Sequence, residues 1–249
     1  MTTIENNLGQ IRARMATACA QAGRQADHVQ LLAVSKTFGA DAVREAVLAG
    51  QRSFGENYIQ EAVDKIAAVR AMQLPGGAEL QWHCIGPIQS NKTRLVAEHF
   101  DWAQTVDRLK IAERLSAQRP AGMKPLQICI QVNVDGGETK SGVAPADALA
   151  LAQVVAALPG LVLRGIMSIP NDAPDFEAQC AVHEKARVLF ERIKSSALPG
   201  LEQFDTLSMG MTGDLEAAVA AGSTMVRVGS GIFGKRSYTP EPLRLGGSA

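Results

Sequence analysis

The chain has 249 residues, 46% of them hydrophobic, and its 25 basic residues balance 25 acidic ones. That length suits one large domain with a well-buried core, and the even charge excludes the overall basic excess of a nucleic-acid binder. The four cysteines (Cys19, Cys84, Cys129, Cys180) form no CxxC pair and have no histidine at metal-ligand spacing, so a reducing cytoplasm is expected rather than a disulfide framework or a zinc site.

At the N-terminus, Glu5 and its polar neighbours stand where a secretory signal would need an apolar core. Ile4, Leu8, Ile11, Met15, Ala18 and Ala22 then recur at steps of four and three, the apolar stripe of an amphipathic helix that Gly23 closes. Residues 29–35 form a short apolar run that suits a strand buried on both faces. Further strands are predicted at 52–55, 80–86, 101–106, 126–134, 161–169, 204–209 and 224–229. Helical stripes lie between them, one carried by Ile59, Val63, Ile66 and Val69, another by Phe176, Cys180, Ala186, Leu189 and Ile193. Strands alternating with helices predict βαβ units and a parallel sheet. A count of eight favours a closed (β/α)8 TIM-type barrel over an open sheet. The longest apolar stretch, near 149–158, is too short and interrupted to span a bilayer. After the eighth strand comes a Gly- and Pro-rich tail, 237–249, with little room for a last outer helix. The N-terminal helix is therefore expected to fill that gap, and the barrel domain to run over 1–236.

Ligand groups of such barrels gather at the C-terminal ends of the strands. Lys36 ends the first strand; a lysine there is usually solvated, but burial would lower its pKa and give the neutral amine that a Schiff base requires. Asn57 follows the second strand in Phe54-Gly-Glu-Asn-Tyr-Ile-Gln-Glu61, where it could cap the next helix, contact a ligand, or both. His83 lies inside the third strand, a place more often held by a hydrogen-bonded core histidine. Gln89, Asn91 and Lys92 open the following helix and could simply cap it. The loops Ser208-Met-Gly-Met-Thr-Gly-Asp214 and Arg227-Val-Gly-Ser-Gly-Ile232 follow strands seven and eight, where these barrels often bind phosphate through backbone N–H groups. The plainer reading is two tight turns, with Thr212 as an ordinary helix cap. A lysine facing a phosphate site across the barrel mouth suits an aldehyde bearing a phosphate. Pyridoxal 5'-phosphate qualifies, and so does an aldol substrate.

The blocks Ala33-Val-Ser-Lys36, Phe54-Gly-Glu-Asn-Tyr58, Trp82-His-Cys-Ile-Gly86 with Gln89 and Asn91-Lys92, Ser208-Met-Gly-Met211, and Val226-Arg-Val-Gly-Ser230 with Ile232-Phe-Gly234 resemble the pyridoxal phosphate homeostasis proteins. These are also called proline synthetase co-transcribed homologues, and the resemblance runs from about Leu8 to Arg236. It implies the barrel of the alanine racemase N-terminal domain, with Lys36 carrying pyridoxal 5'-phosphate as a Schiff base. It further implies Ser208 and the Gly229–Ser230 backbone at the phosphate, with Met209 in the same cofactor-binding set. Arg227 would approach the pyridine nitrogen, and Asn57 and His83 would lie near the cofactor. Two positions depart from the pattern: Ser230 where Thr is common, which keeps the hydroxyl, and Gly213 where a polar residue is frequent. The implied role is to hold the cofactor and balance vitamin B6, without established turnover, with apo pyridoxal phosphate enzymes as candidate recipients.

Arginine is a donor only, so at the ring it requires an unprotonated nitrogen and weakens the electron sink. This counts against decarboxylation and transamination, but not against racemisation. A fold-type III amino-acid racemase is the alternative reading; it needs an acid/base group on each face of the bound amino acid. Lys36 could serve one face, but neither Tyr58 nor Tyr238 has an evident route to the other. A Schiff-base aldolase fits less well, because no acidic residue beside Lys36 offers a proton relay. A monomer is expected, because no dimer-completing domain is evident.

Overall fold

Short, largely buried runs form the strands, and each is followed by a helix. The structure, a computed structural model, describes residues 2–137 and 141–234. In chain order its main elements are α1 (Thr3–Gln21), β1 (Gln30–Val34), α2 (Ala40–Leu48), β2 (Ser53–Glu56), α3 (Ile59–Ala71), β3 (Gln81–Cys84), α4 (Thr93–His99) and β4 (Trp102–Val106). There follow α5 (Leu109–Gln118), β5 (Leu126–Gln131), α6 (Ala148–Ala156), β6 (Leu161–Met167), α7 (Phe176–Lys194), β7 (Thr206–Ser208), α8 (Leu215–Ala220), β8 (Met225–Val228) and α9 (Ser230–Phe233). The eight strands form one closed barrel in sequence order. Parallel pairing of β1 with β8, from Gln30 opposite Met225 to Ala33 opposite Val228, shuts it. The expected (β/α)8 barrel is therefore the fold.

Alternation along the strands separates two apolar layers. Leu31, Ala33, Phe54, Trp82, Ile128, Leu163 and Val226 belong to the main core with the helices. Inside the barrel, Leu32, Val34, Ile85 and Met225 form one small cluster, and Trp102, Cys129 and Met167 another. The β6–β7 contact is so close that a Cβ on Gly165 would lie 1.6 Å from the carbonyl oxygen of Thr206, so only glycine fits there.

The N-terminal helix occupies the expected gap. Leu8, Ile11, Met15 and Ala18 are buried, and α1 packs against α8 and α9 on one side and α2 on the other. Arg14 pairs with Glu216 of α8 at 2.8 Å, and Asn7 Nδ2 donates to the carbonyl of Ile232 at 2.8 Å. A capping box between Thr2 and Glu5 starts the helix. The tail at 237–249, the domain boundary at 236 and Tyr238 lie outside the described residues.

Several boundaries differ from expectation. The runs 80–86 and 126–134 yield only Gln81–Cys84 and Leu126–Gln131, because the chain leaves the ladder to build the mouth. Val132, for instance, makes an isolated bridge to Val143. In α3, Ile59, Ile66 and Val69 are buried as expected, Val63 only partly, and Lys65 takes a buried place beside them. In α7, Phe176 is exposed and Cys180 half-buried, while His183 and Phe190 enter the core. The 19-residue α7 is far longer than the three-residue β7 that follows it.

Candidate functional site

β1 ends in a tight turn. The N–H of Phe38 donates to the carbonyl of Ser35 at 3.1 Å, and Thr37 has φ +68°. A β-branched residue in the left-handed region is strained and is held only by its surroundings. Here the N–H of Thr37 donates to Glu61 Oε1 at 2.9 Å. Between Ser35 and Thr37, half-buried Lys36 lines a cavity of about 310 Å³ at the C-terminal mouth of the barrel. That volume is at the lower end of the roughly 300–1,000 Å³ usual for small-molecule sites.

Val34, Phe38, Ile85 and Ile169 supply apolar wall. Met211, Thr212 and Gly213 of the loop after β7, with Gly229 and Ser230 at the start of α9, line it as well. Asn57 is not the cap of α3: Tyr58 holds that position, without a side-chain cap bond. Asn57 lines the cavity instead, and its Oδ1 is buried with no partner. Gly86 allows this, since a Cβ there would lie 2.1 Å from the carbonyl oxygen of Asn57. Gln89 and Lys92 precede helical turns but make no side-chain cap bond. At α8 the cap position belongs to Asp214 rather than Thr212, and Asp214 Oδ1 accepts from the N–H of Met211 at 2.6 Å.

Arg227 lines the cavity from β8 and is almost wholly buried. Its Nη1 donates to Ser208 Oγ and its Nη2 to the carbonyl of Ser168, both at 2.8 Å. Burial lowers its pKa to about 10, which leaves it a cation at neutral pH. Ser208 Oγ then donates to Gln104 Oε1 at 2.7 Å, and Gln104 Nε2 lies 2.9 Å from His83 Nδ1. The direction of this chain makes Nδ1 of His83 an acceptor, so a neutral ring carries its proton on Nε2. Burial alone pulls His83 down to about 3, and Trp102 stacks on the ring at 4.9 Å. Among the sequence-predicted residues, Lys36, Asn57, Arg227, Gly229 and Ser230 meet at the cavity. His83 and Ser208 lie one layer beneath it, fully buried, and Met209 is buried in the main core between barrel and helices.

The family model for the alanine racemase N-terminal domain matches residues 6–237. The pyridoxal phosphate homeostasis protein of Vibrio cholerae is 52% identical over 241 residues, covering 96% of this chain and 99% of that one. The protein of the same name from Pseudomonas aeruginosa is 53% identical over 238 residues, covering 96% and 98%. The chain belongs to the pyridoxal phosphate homeostasis protein family. Among solved structures, PipY of Synechococcus elongatus with PLP bound superposes with a TM-score of 0.78 at 35% identity, covering 93% of this chain and all of that one (100%). Alanine racemase from Corynebacterium glutamicum (TM-score 0.64, 15% identity, covering 94% and 61%) shares the fold.

Within this family member, sequence reasoning missed Gln104, the link between Ser208 and His83, because nothing marks one strand glutamine among others. It also missed Phe38 and Ile169. Near Lys36 the sequence shows no acidic neighbour, yet the fold brings Glu56 and Glu61 against the residues on either side of it.

Proposed function

We propose that this protein binds pyridoxal 5'-phosphate through a Schiff base on Lys36 and holds the cofactor for vitamin B6 homeostasis, without catalytic turnover. The observation that carries this reading is one cavity lined both by Lys36 and by the loops after β7 and β8, in a chain half identical to proteins named for that task. The site fits the group. The buried, unpartnered Oδ1 of Asn57 offers a polar contact, Gly229 and Ser230 suit a phosphate, and Arg227 is a fixed donor for a ring nitrogen. Bound cofactor would supply an aldehyde carbon and an electron-accepting ring. Ser208 acts through Arg227, which it supports, and His83 acts one step further back through Gln104. Tyr58 is 55% exposed and does not line the cavity, which counts against it as the second base of a racemising pair with Lys36.

The protein works in the cytoplasm as a monomer, with apo pyridoxal phosphate enzymes as recipients of the cofactor. Four unpaired cysteines support the compartment. Among the described residues no helix is long and apolar enough to cross a membrane.

The test is direct. Purified protein with pyridoxal 5'-phosphate develops a visible imine band that borohydride bleaches as it reduces the Schiff base to a stable secondary amine, and Lys36→Ala abolishes the covalent adduct. A protein that takes up no cofactor defeats the proposal. Sustained racemisation of D- or L-alanine at enzyme-like rates overturns the holding role in favour of the racemase.

A further inference from the structure

Behind the Lys36 turn, away from the cavity, lies a buried charge cluster that the cofactor reading leaves unused. Lys65 of α3 is 4% exposed and Glu56 of β2 not at all (0%), and they pair at 2.7 Å. Ser35 Oγ donates to the same Glu56 oxygen at 2.6 Å, while Glu56 Oε2 is buried with no partner. Burial pushes the Glu56 carboxyl up despite the opposing lysine. Lys65 also donates to the carbonyl of Ser35 at 2.8 Å and to Glu61 Oε1 at 3.0 Å. Glu61 Oε1 in turn accepts from the N–H of Thr37 at 2.9 Å. The carbonyl of Ser35 and the N–H of Thr37 belong to the two peptide groups that flank Lys36. Both are therefore held by one helical turn of α3, through residues four apart.

Stability does not account for this arrangement. A buried ion pair rarely outperforms well-packed apolar residues of similar size, and here it leaves a carboxylate oxygen unsatisfied beside a strained threonine. We infer that Lys65 and Glu61, braced by Glu56, are positioning residues that clamp the backbone on both sides of Lys36 and so aim its amine into the cavity. The clamp rests on the reading of Lys36 as the cofactor lysine. It makes Lys36 a rigid nucleophile on a loop that would otherwise relax away from φ +68° at Thr37.

The experiment compares two ligands in wild type and variants. Pyridoxal 5'-phosphate reports bond formation through its visible band. Pyridoxine 5'-phosphate lacks the aldehyde and reports only binding of ring and phosphate. The Glu61 side chain is 38% exposed, so Glu61→Ala should fold. It is expected to slow appearance of the band about tenfold or more, with affinity for pyridoxine 5'-phosphate within about twofold of wild type. Hydrogen exchange at Thr37 in the cofactor-free protein should rise. Glu61→Gln, whose amide oxygen can still accept from Thr37, should recover most of the rate. Glu56→Gln combined with Lys65→Met removes both buried charges together and should slow the band as Glu61→Ala does. A wild type without any band overturns the cofactor reading and the clamp with it. A wild-type band that Glu61→Ala matches in rate overturns the clamp alone, as does an equal loss of both ligands.

Discussion

His83 shows how one buried side chain couples the site to solution conditions. Its pKa is lowered by burial to about 3, against roughly 6.5 in an unfolded chain. Between those values the unfolded chain binds a proton that the folded protein excludes. Stability therefore rises with pH across this window, by about 1.4 kcal/mol per unit, and is complete above about 6.5. Urea midpoints measured from pH 7 down to pH 4 should fall more steeply for wild type than for His83→Gln. Equal slopes would mean that the ring is not held neutral. Two steps along the same hydrogen-bond chain, Ser208→Ala removes the hydroxyl between Arg227 and Gln104. It should cost about 1–3 kcal/mol in equilibrium unfolding and weaken cofactor affinity, although the hydroxyl itself does not line the cavity. At this scale the sequence was readable where position alone decides. Lys36, Gly229 and Ser230 could be placed because they end strands whose apolar runs are plain. Gln104, Glu56 and Lys65 could not, because what they do depends on which strand or helix lies beside them.

Elements were readable to the extent that one periodicity governed them. The apolar runs of β1, β5 and β6 announced buried strands, and the steps of four and three in α1 announced its inward face. Both signals fade at the mouth. There the chain leaves the ladder after Gln131, and Phe176, in the first turn of α7, is exposed despite its place in the apolar stripe. The tight β6–β7 contact offers a sharp test of the packing. Gly165→Ala would drive a methyl into the carbonyl of Thr206 and should destabilise by about 3 kcal/mol or more, toward the upper end of overpacking costs, as read by denaturant unfolding. Leu8→Ala, in the helix that completes the outer ring, should cost about 2–5 kcal/mol. If Leu8→Ala unfolded at the wild-type midpoint, α1 would be an appendage and not part of the ring.

For the whole molecule, a ligand that bridges the start and the end of the chain stabilises every element between them. Pyridoxal 5'-phosphate at a hundred times its dissociation constant should add about 2.7 kcal/mol, seen as a rise in melting temperature that Lys36→Ala largely loses. The same connectivity governs how the molecule is made. Lys36 emerges early in synthesis, whereas Gly229, Ser230 and the strand that pairs with β1 come close to two hundred residues later. Contacts so distant in sequence form late and slowly. If Lys36 and the loop after β8 hold the cofactor as proposed, a growing chain displays its lysine long before the opposite wall of the cavity exists, and capture of the cofactor requires that translation has run to β8 and the ring has closed.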